Sequence, residues 1–181
     1  MKNKSAVRWI IQITLLSIAI SVVFTLVSTE ALSGAGYFAA FAVLLVFILI
    51  GIVFDIIGVA VTSAPEAPFH SMASHREKGA TEAIKLLKNS EKVSSICNDV
   101  VGDIAGIVSG TTSTIIVAML VRDHSLNSIL LQLLMSGTVS GLTIGGKATG
   151  KIVAINQNVK VVLAVGKVIR FLTGFKKGKR T

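Results

Sequence analysis

Residues 36–68 read GYFAAFAVLLVFILIGIVFDIIGVAVTSAPEAP, an apolar run interrupted by Asp55 and stopped at Pro65 and Pro68. About 20 apolar residues are enough for a helix to cross a hydrocarbon core of ~30 Å. A proline removes a backbone donor and clashes with the preceding helical turn, so the pair predicts a helix end. This stretch therefore predicts one membrane-spanning helix with a defined end.

Three further apolar runs of spanning length occur, at Trp9–Val27, Ser94–Val121 and Leu126–Gly146. The chain has 181 residues, is 52% hydrophobic and has a mean hydropathy of +0.77. The first run is longer than the ~7–15-residue apolar core of a signal peptide and lacks an A-x-A site, which favours a retained anchor. We predict an all-α polytopic membrane protein with four transmembrane helices in a single membrane domain over residues 1–181.

Basic residues predict how the chain is oriented. Of its 18 Lys and Arg residues, only Arg122 falls between the third and fourth runs. The others precede the first run, separate the second from the third, or follow the fourth. Because loops rich in Lys and Arg stay in the cytoplasm, we expect both termini on the cytoplasmic side of a bacterial inner membrane.

Two segments outside the runs have amphipathic patterns. Ala80, Ala83, Ile84 and Leu87 recur at helical spacing, in a linker that Asn89 and Ser90 interrupt before the third run. From about residue 157, apolar and basic residues alternate at helical spacing, and a basic tail follows at 173–181. Both segments predict cytoplasmic helices on the membrane surface, where basic side chains meet anionic headgroups.

Glycine recurs every fourth residue in the third and fourth runs. Small residues at this spacing allow helix backbones to approach closely in lipid, although glycine is also simply more frequent in membrane helices. We predict a tight pair between these two helices. The glycines of these two ladders are Gly102, Gly106 and Gly110 in one run, and Gly137, Gly141 and Gly145 in the other.

Acids within apolar runs are costly and usually face a cavity or a partner. Asp55 lies in the second run, and Asp99 and Asp103 lie in the third beside Asn98. At about 100° per residue, Asn98, both acids and the glycine ladder share one broad face. If this face meets the end of the second run, carboxylate, amide, hydroxyl and backbone oxygens converge, as a hard cation such as Mg²⁺ requires. The alternative is an interfacial Asp99 and an Asp103 bonded to a neighbouring hydroxyl.

The sequence carries no constellation typical of an enzyme or of a nucleic-acid-binding module. His70 and His75 are five residues apart, which is poor spacing for one helix face. The segment Gly146–Lys151 lacks the spacing of a phosphate-binding loop. We therefore predict neither catalysis, nor an organic cofactor, nor nucleic acid as a partner.

The region 36–172 resembles the transmembrane domain of the CorB/CorC and cyclin M (CNNM) magnesium and cobalt transport proteins. The stretches that carry the resemblance, in chain order, are 63–69 (SAPEAPF), 86–92 (LLKNSEK), 96–98 (ICN) and 146–151 (GKATGK). The sequence departs from the family at Pro65, Lys147 and Gly150. It also has an additional span, 9–27, and we expect it to lack the CBS-pair domain that follows in the family.

The resemblance implies a homodimer that handles Mg²⁺ between its spans. Carried over by position, Ser63 and Asn98 are expected as ligands, Glu66 lies beside the site, and Gly141 or Gly145 offers a carbonyl. The carboxylates of Asp55 and Asp103 would supply a negative electrostatic potential at the ion. Our first hypothesis is therefore divalent cation binding or transport, with Mg²⁺ as ligand or substrate. The alternative is a membrane scaffold or regulatory subunit that pairs with another membrane protein.

Overall fold

The computed structural model describes residues 2–177 except 33, 35, 125 and 126, and these residues form helices joined by short turns, without a strand. The α-helices are α1 (Lys2–Leu32), α2 (Tyr37–Ser63), α3 (Ala67–Ser74), α4 (Ala80–Leu87), α5 (Ser90–Ser95), α6 (Asp103–His124), α7 (Ser128–Asn156) and α8 (Asn158–Lys177). A π-helix, Ile96–Gly102, joins α5 to α6. The predicted all-α class is confirmed.

Four helical stretches are long and apolar enough to cross a membrane: Val7–Leu32, Tyr37–Ser63, Ser90–His124 and Ser128–Asn156. They correspond to the four predicted spans and make the chain an all-α polytopic membrane protein. The helices extend beyond the apolar runs, because polar residues can also complete helical hydrogen bonds at a membrane surface. α7, for example, has 29 residues, which at 1.5 Å per residue is about 43 Å.

The described chain divides into two compact units. The first contains residues 1–54 and 98–147, and the second contains residues 55–97 and 148–181. The sequence had predicted a single membrane domain, and the division cuts through α2, the π-helix and α7. The boundaries lie within helices, where no turn or loop residues interrupt the sequence. The composition of the chain therefore does not indicate the division.

In the first unit, α1 packs against α6. Two clusters of buried apolar side chains form its core, one around Leu44 and Ile116 and the other around Phe47 and Ile104. Between α1 and α6 lies a buried polar pair, in which the Ser28 and Thr112 hydroxyl oxygens are 3.2 Å apart. Ser28 directly follows the first apolar run, 9–27, in the sequence. It lies in the last turns of α1, where its hydroxyl is satisfied by another helix.

At one end of the first unit, polar side chains join the start of α2 to the end of α6. The Tyr37 hydroxyl, at the start of α2, donates to Asp123 near the end of α6. Asp123 also accepts a hydrogen bond of 2.8 Å from Arg122 Nε. Arg122 is the basic residue predicted on the outer side, so its charge there is balanced by a neighbouring carboxylate.

In the second unit, α4 packs against α8 and α3. The core consists of buried residues from the end of α2 through α8, including Val61, Phe69 and Val162. The predicted apolar face of α4 is confirmed, since Ala80 and Ala83 are fully buried. Its partner differs from the expectation, because that face is covered by protein and was predicted to lie on lipid.

Two glycines set the distance between α4 and α8. Gly79 precedes α4 with φ of +90°, and a Cβ there would lie 2.6 Å from the Lys167 backbone nitrogen. A Cβ on Gly166 would overlap the Gly79 carbonyl oxygen and lie 3.1 Å from the Ala83 nitrogen. Both obstacles are backbone atoms, which cannot move aside as a side-chain end can. Neither glycine belongs to the predicted ladders.

We expect Gly166→Ala to lower the free energy of unfolding by about 1–3 kcal/mol, because the added methyl group must separate α4 from α8. The matched control is Gly141→Ala, where a Cβ meets nothing within 4 Å. Denaturant titration in detergent micelles, followed by circular dichroism, measures both variants. Equal stability of the two variants would contradict the role of Gly166.

We expect the Ser28–Thr112 pair to have a coupling free energy of about 0.6 kcal/mol, the average for hydrogen bonds between membrane helices. A double-mutant cycle with Ser28→Ala and Thr112→Val in the same unfolding assay measures it. Strictly additive effects of the two substitutions would show that the bond does not stabilise α1 on α6.

Candidate cation site

The third span is not a uniform α-helix. Ile96–Gly102 forms a π-helix, which carries Asn98 and Asp99 and is followed directly by Asp103 at the start of α6. A π-helix bonds each N–H to the carbonyl five residues back, is rare, and occurs frequently at functional sites. Asn98 and both acids are conspicuous in the sequence, but the π-helix is not. No residue pattern in this run signals its wider turn.

The π-helix changes the face that these residues share. Asp99, Asp103, Gly106 and Gly110 are exposed along the span, whereas Gly102 is buried. Four of the six residues expected on one polar face are thus exposed, Asn98 is half-buried and Gly102 is buried. The 100° step of an α-helix does not hold through a π-helical turn, so the expected angles do not apply to residues 96–102.

Asp55 is buried within α2, with 6% of its surface exposed. It lies two turns before the helix end at Ser63, in the most apolar stretch of the chain. A carboxylate that has left water must be paired, hydrogen-bonded or neutralised, since its desolvation is otherwise too costly. Asp55 is thus a buried acid within a membrane-spanning helix.

The proline pair ends α2 at Ser63, as predicted. The Ser63 hydroxyl donates to the Val59 carbonyl at 2.8 Å, which leaves its oxygen lone pairs available to a cation. The Ser63 carbonyl accepts a hydrogen bond of 3.1 Å from Asn158 Nδ2, in the first residue of α8. One of the carbonyls that the prolines were expected to free is therefore occupied by a side chain.

Asn158 was not selected from the sequence. The signal that could have found it is a short polar side chain at the start of an amphipathic helix, a residue type that commonly bonds nearby backbone groups. Its amide group reaches across 95 positions of sequence, and no local pattern specifies such a partner.

Glu66 is exposed in the turn between α2 and α3. Its Oε2 atom lies 3.5 Å from Nε2 of His70, one helical turn ahead. Because both side chains are more than half exposed, water screens this pair and it holds Glu66 only weakly. Glu66 therefore keeps its side chain free to reorient.

The five predicted metal residues are distributed over both compact units. Asp55, Ser63 and Glu66 belong to the second unit, and Asn98 and Asp103 to the first. Within residues 2–177, apart from the four undescribed positions, no group of three or more His, Cys, Asp and Glu side chains is placed to hold a metal ion. Within the first unit, Asn98 and Asp103 offer an amide oxygen and a carboxylate.

The glycine ladders do not bring α6 and α7 into direct contact. At Gly106, Gly110, Gly137, Gly141 and Gly145, an added Cβ would meet nothing within 4 Å. A groove of about 240 Å³ lies between α6 and α7, and of the ladder glycines only Gly106 and Gly110 belong to its lining. The predicted tight pair is therefore not formed along these glycines within one chain. Small residues contribute to close packing only where a neighbouring helix presents a complementary surface.

The lining of this groove is uncharged. Ser136, Ser140 and Gln132 approach from α7, and Ser113 from α6. Ser113 is 3% exposed, and among the described residues its hydroxyl oxygen has no hydrogen-bond partner. Close packing of small residues occurs elsewhere in the unit, where an ideal Cβ on Gly51 of α2 would be 3.5 Å from Ala105 Cβ.

No protein-family model matches the chain, and comparisons with curated proteins and with solved structures give no significant match. The similarity to the CorB/CorC and cyclin M transmembrane domain is thus a prediction that depends on the motifs quoted above. One of them, the segment 146–151, lies within the continuous helix α7.

Proposed function

We propose that this protein binds a divalent cation, Mg²⁺ or a similar ion, and moves it across the membrane in which its four helices are embedded. The observation that supports this most strongly is the π-helix in the third span, with Asn98 and Asp99 in it and Asp103 after it. π-helical turns occur frequently at functional sites, and this one carries an amide and a carboxylate, with a second carboxylate directly after it. These are the oxygen ligands that hard cations prefer.

In this proposal Asn98 contacts the ion directly and Asp103 provides negative charge, both from the first unit. Ser63, Asp55 and Glu66 belong to the second unit and stay predictions from the sequence. Mg²⁺ gives up its water reluctantly and usually retains several waters, so one or two protein oxygens from each helix are enough to hold it. Transport then requires the site to open alternately to the two sides of the membrane.

The buried Asp55 supports the same proposal. Ionisable residues in membrane helices are rare, and they mark ion pathways and proton relays more often than structural pairs. A protein that only needed to pack its helices would gain stability by replacing this acid with an apolar residue of similar size.

We expect Mg²⁺ to stabilise the purified protein by about 2.7 kcal/mol at a concentration 100 times its dissociation constant. Asn98→Ala and Asp103→Asn should each remove this protection, because both residues contribute oxygens or charge to the site. Glu91→Gln is the matched control, as it removes an exposed carboxylate in α5. Thermal unfolding in detergent, with and without Mg²⁺, measures the effect, and liposomes containing a Mg²⁺-sensitive dye measure transport. Protection that is unchanged in both variants would refute the proposed ligands.

The second candidate is a membrane scaffold or regulatory subunit that acts by pairing with another membrane protein or a second copy of itself. It is favoured by the five ladder glycines that face open space. In lipid, such a surface allows a neighbouring helix to approach closely, and van der Waals packing then supplies the affinity.

We expect Gly141→Leu to weaken self-association in liposomes while leaving the folded monomer intact, because its side chain extends into open space. Ala19→Leu introduces the same side chain at an exposed position of α1, outside the ladders, and should have no effect. Energy transfer between labelled copies measures association. If transport fails in Asn98→Ala but association fails only in Gly141→Leu, the two functions coexist.

A further inference from the structure

A second groove, of about 910 Å³, lies within the second compact unit between α4–α5 and α8. Its lining contains Glu82, Lys85 and Arg170 together with an apolar wall of Leu86, Val93 and Ile169. The combination of charged and apolar surface in one groove matches an amphiphile better than it matches a simple ion or an apolar ligand.

The two basic side chains of the groove have no acidic partner. Among the described residues, neither Lys85 nor Arg170 forms an ion pair. Lys167, three residues earlier on α8, does pair, with its Nζ atom 3.5 Å from Glu77 Oε1. Lys85 and Arg170 are exposed, so the groove presents two cationic side chains to an anionic group that enters it.

Glu82, in the same groove, requires a hydrogen-bond donor. Its Oε2 atom is shielded from solvent and accepts no hydrogen bond from the described residues. A shielded acceptor without a donor is costly, and more so when it is charged. A ligand that carries both an anionic group and an N–H donor would satisfy Glu82 as well as the two cations.

The outer surface of α8 indicates where such a ligand comes from. Val168, Phe171 and Leu172 are 58%, 69% and 63% exposed, next to basic residues of the same helix. A helix with exposed apolar residues and a basic side lies in the headgroup layer of a membrane. The groove beside it is then open to lipid headgroups.

We propose that this groove binds a membrane phospholipid whose headgroup carries a primary amine. Its phosphate bonds to Lys85 and Arg170, its ammonium group donates to Glu82, and an acyl chain lies along Leu86, Val93 and Ile169. Hydrogen bonds between ionised partners are about twice as strong as neutral ones, so the ammonium group distinguishes this headgroup from one that ends in hydroxyls. Such a lipid would hold α4 and α8 at the membrane surface.

The test uses the full-length protein in detergent with a divalent-cation chelator, so that its outcome is independent of the cation proposal. Native mass spectrometry measures retention of phosphatidylethanolamine, phosphatidylcholine and phosphatidylglycerol with identical chains. We expect phosphatidylethanolamine to bind about tenfold more tightly than phosphatidylcholine, whose quaternary ammonium has no hydrogen to donate. Phosphatidylglycerol should fall between them.

Substitutions in the groove distinguish recognition of the ammonium group from binding of the phosphate. Glu82→Gln should reduce the ethanolamine-to-choline preference to about onefold, and Arg170→Gln should weaken all three lipids several-fold with that preference retained. Lys160→Gln, an exposed cation of α8 outside the groove, is the matched control and should change neither value.

Three results would overturn the proposal. The first is equal retention of the ethanolamine and choline lipids by the unmodified protein, a comparison that needs no variant to fold. The second is an unchanged preference in Glu82→Gln. The third is displacement of the lipid by soluble phosphoethanolamine at equal concentration, which would indicate a solute site in place of a lipid site.

Discussion

Inside hydrocarbon there is no water to bond a peptide group, so each carbonyl and N–H of a span needs a partner within the protein. α2 meets this requirement over 27 residues and then stops at the proline pair. The carbonyl of Ser63 is satisfied by the side chain of Asn158, which begins α8. The same corner contains the fully buried Phe69 and Val162. The end of the second span and the basic helix α8 are therefore fixed to each other by a hydrogen bond and by a shared core.

The small residues decide how closely the helices approach. In the second unit, Gly79 and Gly166 bring the backbones of α4 and α8 into contact, and a Cβ at either position would overlap backbone atoms. In the first unit, five of the six ladder glycines have open space where a Cβ would lie, and α1 is joined to α6 through Ser28 and Thr112. Glycine spacing indicates that close approach is possible, whereas the surrounding surfaces decide whether it occurs and with which partner.

Polar and charged groups are concentrated at two kinds of place. One is the interior of the spans, where Asp55, Asn98 and Asp103 carry the proposed cation function. The other is the basic region of α4 and α8, where Lys85, Arg170 and Glu82 carry the proposed lipid function. The two sets have no residue in common, so each proposal can be tested without disturbing the residues of the other.

The sequence by itself determined the four spans, the proline stop, the amphipathic α4 and the basic α8, because each depends on composition and on periodicity within one segment. It also selected Asp55, Asn98 and Asp103, since acids and amides in apolar runs are conspicuous. Only the tertiary structure decided that Ile96–Gly102 is π-helical and that Asn158 satisfies Ser63. It likewise decided that Gly79 and Gly166 pack where the ladders do not. These features depend on which distant part of the chain each residue contacts. The free energy of such a contact cannot be derived from one segment alone.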